Sequence, residues 1–191
     1  MKIILIISII FSIAVCYTFL NRNSDLKTDQ FSTSIYDYSI KTIEGNDINM
    51  MQFKGKKIMI VNVASKCGYT PQYNELQKIH EDYGDKIEII GFPSNDFLWQ
   101  EPGKNSDIKK FCTTKYGISF NLAEKSIVKK KKHQNSIYTW LSNKALNGWN
   151  DKAPSWNFCK YLIDEKGNLI YFYPSSIKPL SKEILDFINN E

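Results

Sequence analysis

Arginine is almost missing. Arg22 is the one example among 191 residues, and every other basic side chain is lysine. Arginine is the usual bidentate clamp for carboxylates and phosphates, so tight recognition of a small polyanion would fall to lysine alone. The net charge of +5 is carried by lysines without interleaved aromatics, which argues against nucleic acid as a partner. Histidine is nearly as scarce, with His80 and His133 only. Cysteine occurs at Cys16, Cys67, Cys112 and Cys159, with no pair at C-x-x-C distance. Four such widely spaced cysteines are too few for a disulfide scaffold and do not match zinc-ligand spacing. Reactive thiol chemistry or plain burial remains for them.

What is present is an ordinary globular composition, 42% hydrophobic and 24% charged, at a length suited to one domain. The exception is the start. Lys2 is followed by "IILIISIIFSIAVCYTFL", an uncharged run from Ile3 to Leu20. A short basic start and a long apolar core read as a signal peptide or signal anchor over residues 1–20. Its 18 residues reach the lower limit for a bilayer span, so the two alternatives stay open. Such a segment directs a chain to the secretory pathway or an organelle such as a plastid. If it is not used, the chain is cytoplasmic. Cys16 belongs to this segment. Residues 21–34 are polar and aperiodic and read as a linker, leaving 35–191 as the folded domain.

Within that domain, "IYDYSIKTIEGNDINMMQF" reads as a hairpin around Glu44-Gly45-Asn46. Ile58–Ala64 is a continuous apolar run, as expected of a strand buried on both faces. Thr70 is a candidate N-cap and Pro71 a first helical residue for a helix to about Tyr83. "KIEIIGF" is a second buried strand. "NSDIKKFCTTKYG" reads as a helix containing Cys112, with Ser106 as its cap, and "HQNSIYTWLSNKAL" as another helix. "CKYLIDEKGNLIYFYP" is a hairpin turning at Lys166-Gly167-Asn168, and "PLSKEILDFINN" is a closing amphipathic helix. Strands alternating with helices, then a final antiparallel hairpin, predict an α/β domain. Its mixed central sheet would be flanked by helices, and an N-terminal β-hairpin would precede it. That order is the order of a thioredoxin-like domain.

Cys67 stands where the first buried strand gives way to a helix. Backbone N–H groups and the positive end of the helix dipole then face its sulfur, and Lys66 adds charge. An ordinary thiol is only a few per cent ionised near neutrality, so complete ionisation gains about thirtyfold, or about 2 kcal/mol. Enzymes supply about 8 kcal/mol or more. Oriented donors from elsewhere in the chain would have to provide the rest.

Three blocks supply candidates. "NVASKCGYT", "GFPSNDFLWQEPG" and "WNFCKYLID" resemble, in order and spacing, the signature blocks of the glutathione peroxidase family. The resemblance runs from about Ser34 to the C-terminus. It implies a thioredoxin-like fold, reduction of hydroperoxides to water or alcohols, and a catalytic tetrad at Cys67, Gln100, Trp156 and Asn157. Cys67 would attack as thiolate, while two amides and an indole N–H donate without charge. No histidine is needed in such a scheme. Without the resemblance, Gln100 would read as a surface residue beside a turn and Trp156-Asn157 as a hairpin edge.

Details of the match narrow the subtype. Position 67 is cysteine where some animal members have selenocysteine, and Ser94 stands where many members have cysteine. Cys112, 45 positions after Cys67, matches the resolving cysteine of the thioredoxin-dependent branch. In that branch a sulfenic acid on Cys67 condenses with Cys112 to a disulfide, which requires the helix carrying Cys112 to unwind locally. Cys159 falls in the last hairpin and reads as core. The chain is short between the second and third blocks, which implies a monomer with an open site for lipid hydroperoxides. The run Lys129–His133 reads as a solvated loop, with an anionic membrane surface as the alternative contact. No cofactor or metal is implied. The thiol co-substrate is thioredoxin or glutathione, and the lack of arginine favours thioredoxin. The competing function is a redox relay that passes oxidation from Cys67 to a partner protein.

Overall fold

Every residue of β3 (Lys57–Val63) and β4 (Ile87–Pro93) is buried, as their apolar sequences demand. In this computed structural model, which describes residues 33–190, they lie parallel at the centre of a five-stranded sheet, Lys57 opposite Ile87 and Val63 opposite Pro93. The short β5 (Asn121–Leu122) adds parallel to β4. On the other side β6 (Lys160–Ile163) runs antiparallel to β3, and β7 (Leu169–Tyr173) antiparallel to β6. The order is β5-β4-β3-β6-β7, a mixed sheet. The N-terminal hairpin forms as expected, with β1 (Ser39–Lys41) paired to β2 (Asp47–Asn49). The expected signal segment with Cys16, and residues 21–32 of the linker expected over 21–34, lie outside the described residues. No helix among the described residues is long and apolar enough to cross a membrane.

Strand alternation sorts the core into two layers. Met59, Val61, Val63, Ile87, Ile89 and Leu162 face α1 (Gln72–Tyr83), α2 (Asn105–Tyr116) and α5 (Lys182–Asn189). Ile58, Ile60, Ile90, Phe92, Tyr161 and Ile163 face α3 (Ser136–Leu141) and the N-terminal residues Ile35 and Met50. A strand whose two faces are both covered favours apolar side chains, which explains the largely apolar runs, and a polar residue within one, such as Asn62, has to find its partners inside the fold.

Three local expectations are corrected. The predicted helix over residues 133–146 is two helices, α3 and the single-turn α4 (Lys144–Asn147). Ser142 Oγ donates to Tyr138 C=O at 2.6 Å and Asn143 Oδ1 accepts Ala145 N–H at 3.0 Å, so side chains take over the backbone groups at the junction. Helix α2 begins at Asn105 and not after a Ser106 cap; the Asp107 carboxylate accepts Lys104 N–H at 3.2 Å. Thr70 does not cap α1, which has Pro71 at its N-cap. Its hydroxyl is used elsewhere, as described below.

The β6–β7 turn is held from outside. Gly167 has φ +87°, and a Cβ there would stand 2.6 Å from Tyr36 Cε2 and 2.7 Å from Ser34 Oγ. Tyr36 Oη donates to Glu165 C=O at 2.9 Å in the same turn. Gly167→Ala is therefore strained in backbone and packing alike. It should cost about 2 kcal/mol or more, or a Tm lower by about 4–8 °C in thermal unfolding.

Candidate active site

Parallel β3 and β4 end side by side, and antiparallel β6 begins at that same end of the sheet. Three loops therefore meet there: residues 64–71 after β3, residues 94–104 after β4, and residues 154–159 before β6. This is the usual place for a site in an open α/β sheet.

The first loop is folded around Thr70. Its Oγ1 donates to Ala64 C=O at 2.8 Å and accepts Cys67 N–H at 3.0 Å, while Thr70 N–H donates to Cys67 C=O at 3.0 Å. The sulfur of Cys67 accepts Tyr69 N–H at 3.4 Å, and the residue as a whole is 8% exposed. A backbone donor just before a helix is the environment the sequence predicts for it. His80 lies in the last turn of α1, at the opposite end from Cys67.

The second loop is stitched to the first. Lys66 N–H donates to Gln100 C=O at 3.0 Å, Ser94 N–H to Val63 C=O at 3.0 Å, and Ser65 Oγ to Glu101 Oε2 at 3.0 Å. The backbone reverses through left-handed Leu98 and Trp99, φ +49° and +52°, which carries Gln100 back toward the sheet and leaves both apolar side chains largely exposed.

The third loop is held by Asn62, a buried amide within the apolar strand β3. It donates from Nδ2 to Trp156 C=O at 2.9 Å and accepts Cys159 N–H at 3.1 Å, and its carbonyl accepts Phe158 N–H at 2.6 Å. Asn157 is fully buried and donates from Nδ2 to Gln100 Oε1 at 2.9 Å. Its Oδ1 has no partner. The half-buried Trp156 ring packs against Phe97 with centroids 5.7 Å apart.

Of the expected tetrad, Gln100 and Asn157 thus touch directly, and the Gln100 backbone is bonded to the residue before Cys67. Neither the Gln100 amide N–H nor the Trp156 indole N–H is hydrogen-bonded to the sulfur or to any other group among the described residues. Both donors are free to meet a third molecule. Cys112 lies apart on α2, fully buried in the same apolar cluster as Cys67. Burial pushes its thiol up to about 11. Cys67, Cys112 and Cys159 are all free thiols. Cys159 is buried with its sulfur 3.6 Å from Ser175 Oγ.

Two residues escape sequence reasoning. Asn62 stands inside a quoted block, and a polar residue in a run buried on both faces is its signal. Glu101 follows Gln100 and is only 1% exposed. Burial raises its carboxyl to about 7, against the Ser65 hydrogen bonds and the charges of Lys125 and Lys66. Nothing in the pattern around it announces burial.

Residues 35–142 match the glutathione peroxidase family model. The chain is 40% identical over 151 residues to a glutathione peroxidase-like peroxiredoxin 2 of Saccharomyces cerevisiae, covering 78% of this chain and 93% of the relative. It is 38% identical over 160 residues to a hydroperoxy fatty acid reductase of Synechocystis, covering 80% and 93%. The solved structure of Trgpx in its apo form superposes with a TM-score of 0.61 at 29% identity, over 83% of this chain and 97% of that one. That structure shares the thioredoxin-like architecture. The chain belongs to the glutathione peroxidase family.

Proposed function

We propose that the protein is a monomeric thiol peroxidase that reduces hydrogen peroxide and organic hydroperoxides, lipid hydroperoxides included, and is restored by thioredoxin. The observation that supports this reading is that the three loops carrying Cys67, Gln100 and Trp156-Asn157 meet at one end of the sheet, where Asn157 is bonded to Gln100, the Gln100 carbonyl to the residue before Cys67, and Cys67 is a free thiol. The Cys67 thiolate attacks the nearer peroxide oxygen. The O–O bond breaks, the sulfur keeps one oxygen as sulfenic acid, and the alkoxide takes a proton and leaves as alcohol or water. The amide of Gln100 and the indole of Trp156 donate to the charge that develops on oxygen, and Asn157 holds the Gln100 amide by its Oε1.

The Cys112 thiol then attacks the sulfenic sulfur. A disulfide forms, the S–O bond breaks, and water leaves. Cys112 starts in the middle of α2, so the helix opens locally in this step. A dithiol protein reduces the disulfide by exchange. A thioredoxin fits this role better than glutathione because one arginine in the whole chain, Arg22, supplies no clamp for two carboxylates. The chemistry asks for no prosthetic group.

The test is NADPH consumption with hydrogen peroxide in the presence of thioredoxin and its reductase, or of glutathione and its reductase. Thioredoxin should support turnover at least about tenfold faster than glutathione, a difference of about 1.4 kcal/mol. A preference for glutathione would overturn the reductant, and turnover with neither would overturn the peroxidase.

A further inference from the structure

Leu98 and Trp99 are 67% and 76% exposed, on backbone that side chains rarely adopt. Such left-handed residues persist where their surroundings hold them, and here they form one wall of a cleft of about 350 Å³. Phe97, Trp156, Lys129 and Lys131 also line it, and its volume is that of a small-molecule site. Its two lysines are not equivalent. Lys131 Nζ is paired with Asp96 Oδ1 at 2.5 Å, while Asp96 Oδ2 accepts the Val128 and Lys129 N–H groups at 2.7 and 3.0 Å. Lys129 has no carboxylate partner among the described residues. Its ammonium rests 4.6 Å from the centroid of the Phe97 ring, and Phe97 in turn packs on Trp156. The cleft therefore joins an apolar wall and one uncompensated cation to the indole that borders the site.

We propose that this cleft binds the hydroperoxide of a free fatty acid, its carboxylate on Lys129 and its chain along Phe97, Leu98 and Trp99. Lys129 is then the residue that sets the preference among hydroperoxides. The proposal rests on the peroxidase reading, in which Trp156 donates to the peroxide, and it names the substrate class for that same site. The match is one of chemistry. An apolar chain covers the exposed leucine and indole, and a terminal carboxylate supplies the one charge that the cleft leaves unanswered. A neutral ester of the same acid would cover the apolar wall and leave Lys129 unpaired. Hydrogen peroxide would use neither feature.

A single amphipathic molecule fits the cleft better than a flat anionic bilayer. A bilayer would draw on the whole basic run, Lys129 to Lys132, through its surface potential. Lys130 and Lys132 are exposed but do not line the cleft, and Lys131 is already neutralised by Asp96. Lys129 alone turns inward, onto the ring that supports the indole.

The experiment mixes reduced full-length protein by stopped flow with hydrogen peroxide, with linoleic acid hydroperoxide, or with the methyl ester of that hydroperoxide. Each is dilute enough to stay monomeric, and no reductant is present, so a single turnover is read whatever the physiological reductant. The hydrogen peroxide rate of each variant serves as its own reference, which cancels any general loss. Wild type should take the acid about fivefold faster than the ester, the size of one partly exposed ion pair. Lys129→Met should bring that ratio to about one, Lys129→Glu should invert it, and Lys129→Arg should keep it. Leu98→Ser combined with Trp99→Ser should slow acid and ester alike by about tenfold or more relative to hydrogen peroxide. Lys130→Met combined with Lys132→Met should leave the acid-to-ester ratio unchanged. All these side chains are exposed, so the variants keep the fold. A wild-type ratio near one, or a preference that survives in Lys129→Met, overturns the proposal. So does a preference that follows Lys130 and Lys132, or one seen only with phosphatidylglycerol vesicles, either of which would assign the basic run to a bilayer. Wild type that consumes hydrogen peroxide but neither lipid sinks the cleft and spares the peroxidase. Consumption of none of the three sinks the peroxidase reading, and this proposal with it.

Discussion

Replacing Cys67 by serine should reduce peroxide turnover to the uncatalysed background, a loss of about 10⁴-fold or more. In the proposed reaction the thiolate is the nucleophile, and a serine hydroxyl in its place is far less acidic and does not accept oxygen from a peroxide. The surroundings cannot compensate. The donor bonded to the sulfur is Tyr69 N–H at 3.4 Å, and His80 lies at the far end of α1. The variant should fold, because a serine hydroxyl can accept the same N–H bond and the Thr70 bridge is made by the backbone at this position. A melting curve within a few degrees of wild type, together with zero turnover in the thioredoxin-coupled assay, is the expected pair of results. Turnover retained in that variant would remove Cys67 from the chemistry.

Cys112→Ser should separate the half-reactions. The first equivalent of peroxide should be consumed at the wild-type rate, since Cys112 lies on α2 and not on the three loops that hold Cys67, Gln100, Trp156 and Asn157. Steady-state recycling by thioredoxin should then fall by about 10²-fold or more, because a sulfenic acid without a resolving thiol waits for an external one. Under excess peroxide it climbs to sulfinic acid, which thioredoxin does not reduce. Stopped-flow peroxide decay for the first event and NADPH consumption for the second read the two separately. Recycling that persists in the variant would shift the role to Cys159. Against this, Cys159 is fully buried with its thiol beside Ser175, and its strand is pinned through Asn62. Trapping of mixed disulfides in the same variant also tests the relay alternative: a dominant partner other than thioredoxin would favour it.

Much of the architecture is legible in the sequence alone. The largely apolar runs at residues 58–64 and 86–92 declare central strands because burial on both faces selects mainly apolar side chains. Both hairpins are announced by Gly45 and Gly167 between alternating runs. What escapes the sequence depends on partners distant in the chain. Thr70 looks like a cap because caps are local, yet its hydroxyl serves Ala64 and Cys67. The helix over residues 133–146 looks continuous because its apolar spacing survives the break at Ser142-Asn143. Gln100, Trp156 and Asn157 carry no periodic or compositional signal, and the three-block resemblance alone picks them out. Glu101 stays hidden because its burial is decided by Ser65 and by α2, neither of which is its neighbour in sequence.

The amide of Asn62 has a consequence for how the pocket breathes. It belongs to the fully buried strand at the centre of the sheet, and it grips the segment bearing Trp156 at two backbone points. Loosening that side means breaking bonds to the centre of the sheet. The loop after β4 projects Leu98 and Trp99 into solvent between tethers at Asp96, which accepts Val128 and Lys129 N–H, and at Gln100, whose carbonyl accepts Lys66 N–H. Freedom at the cleft is therefore confined to the short tip at Leu98 and Trp99, with the backbone behind the indole pinned to the sheet.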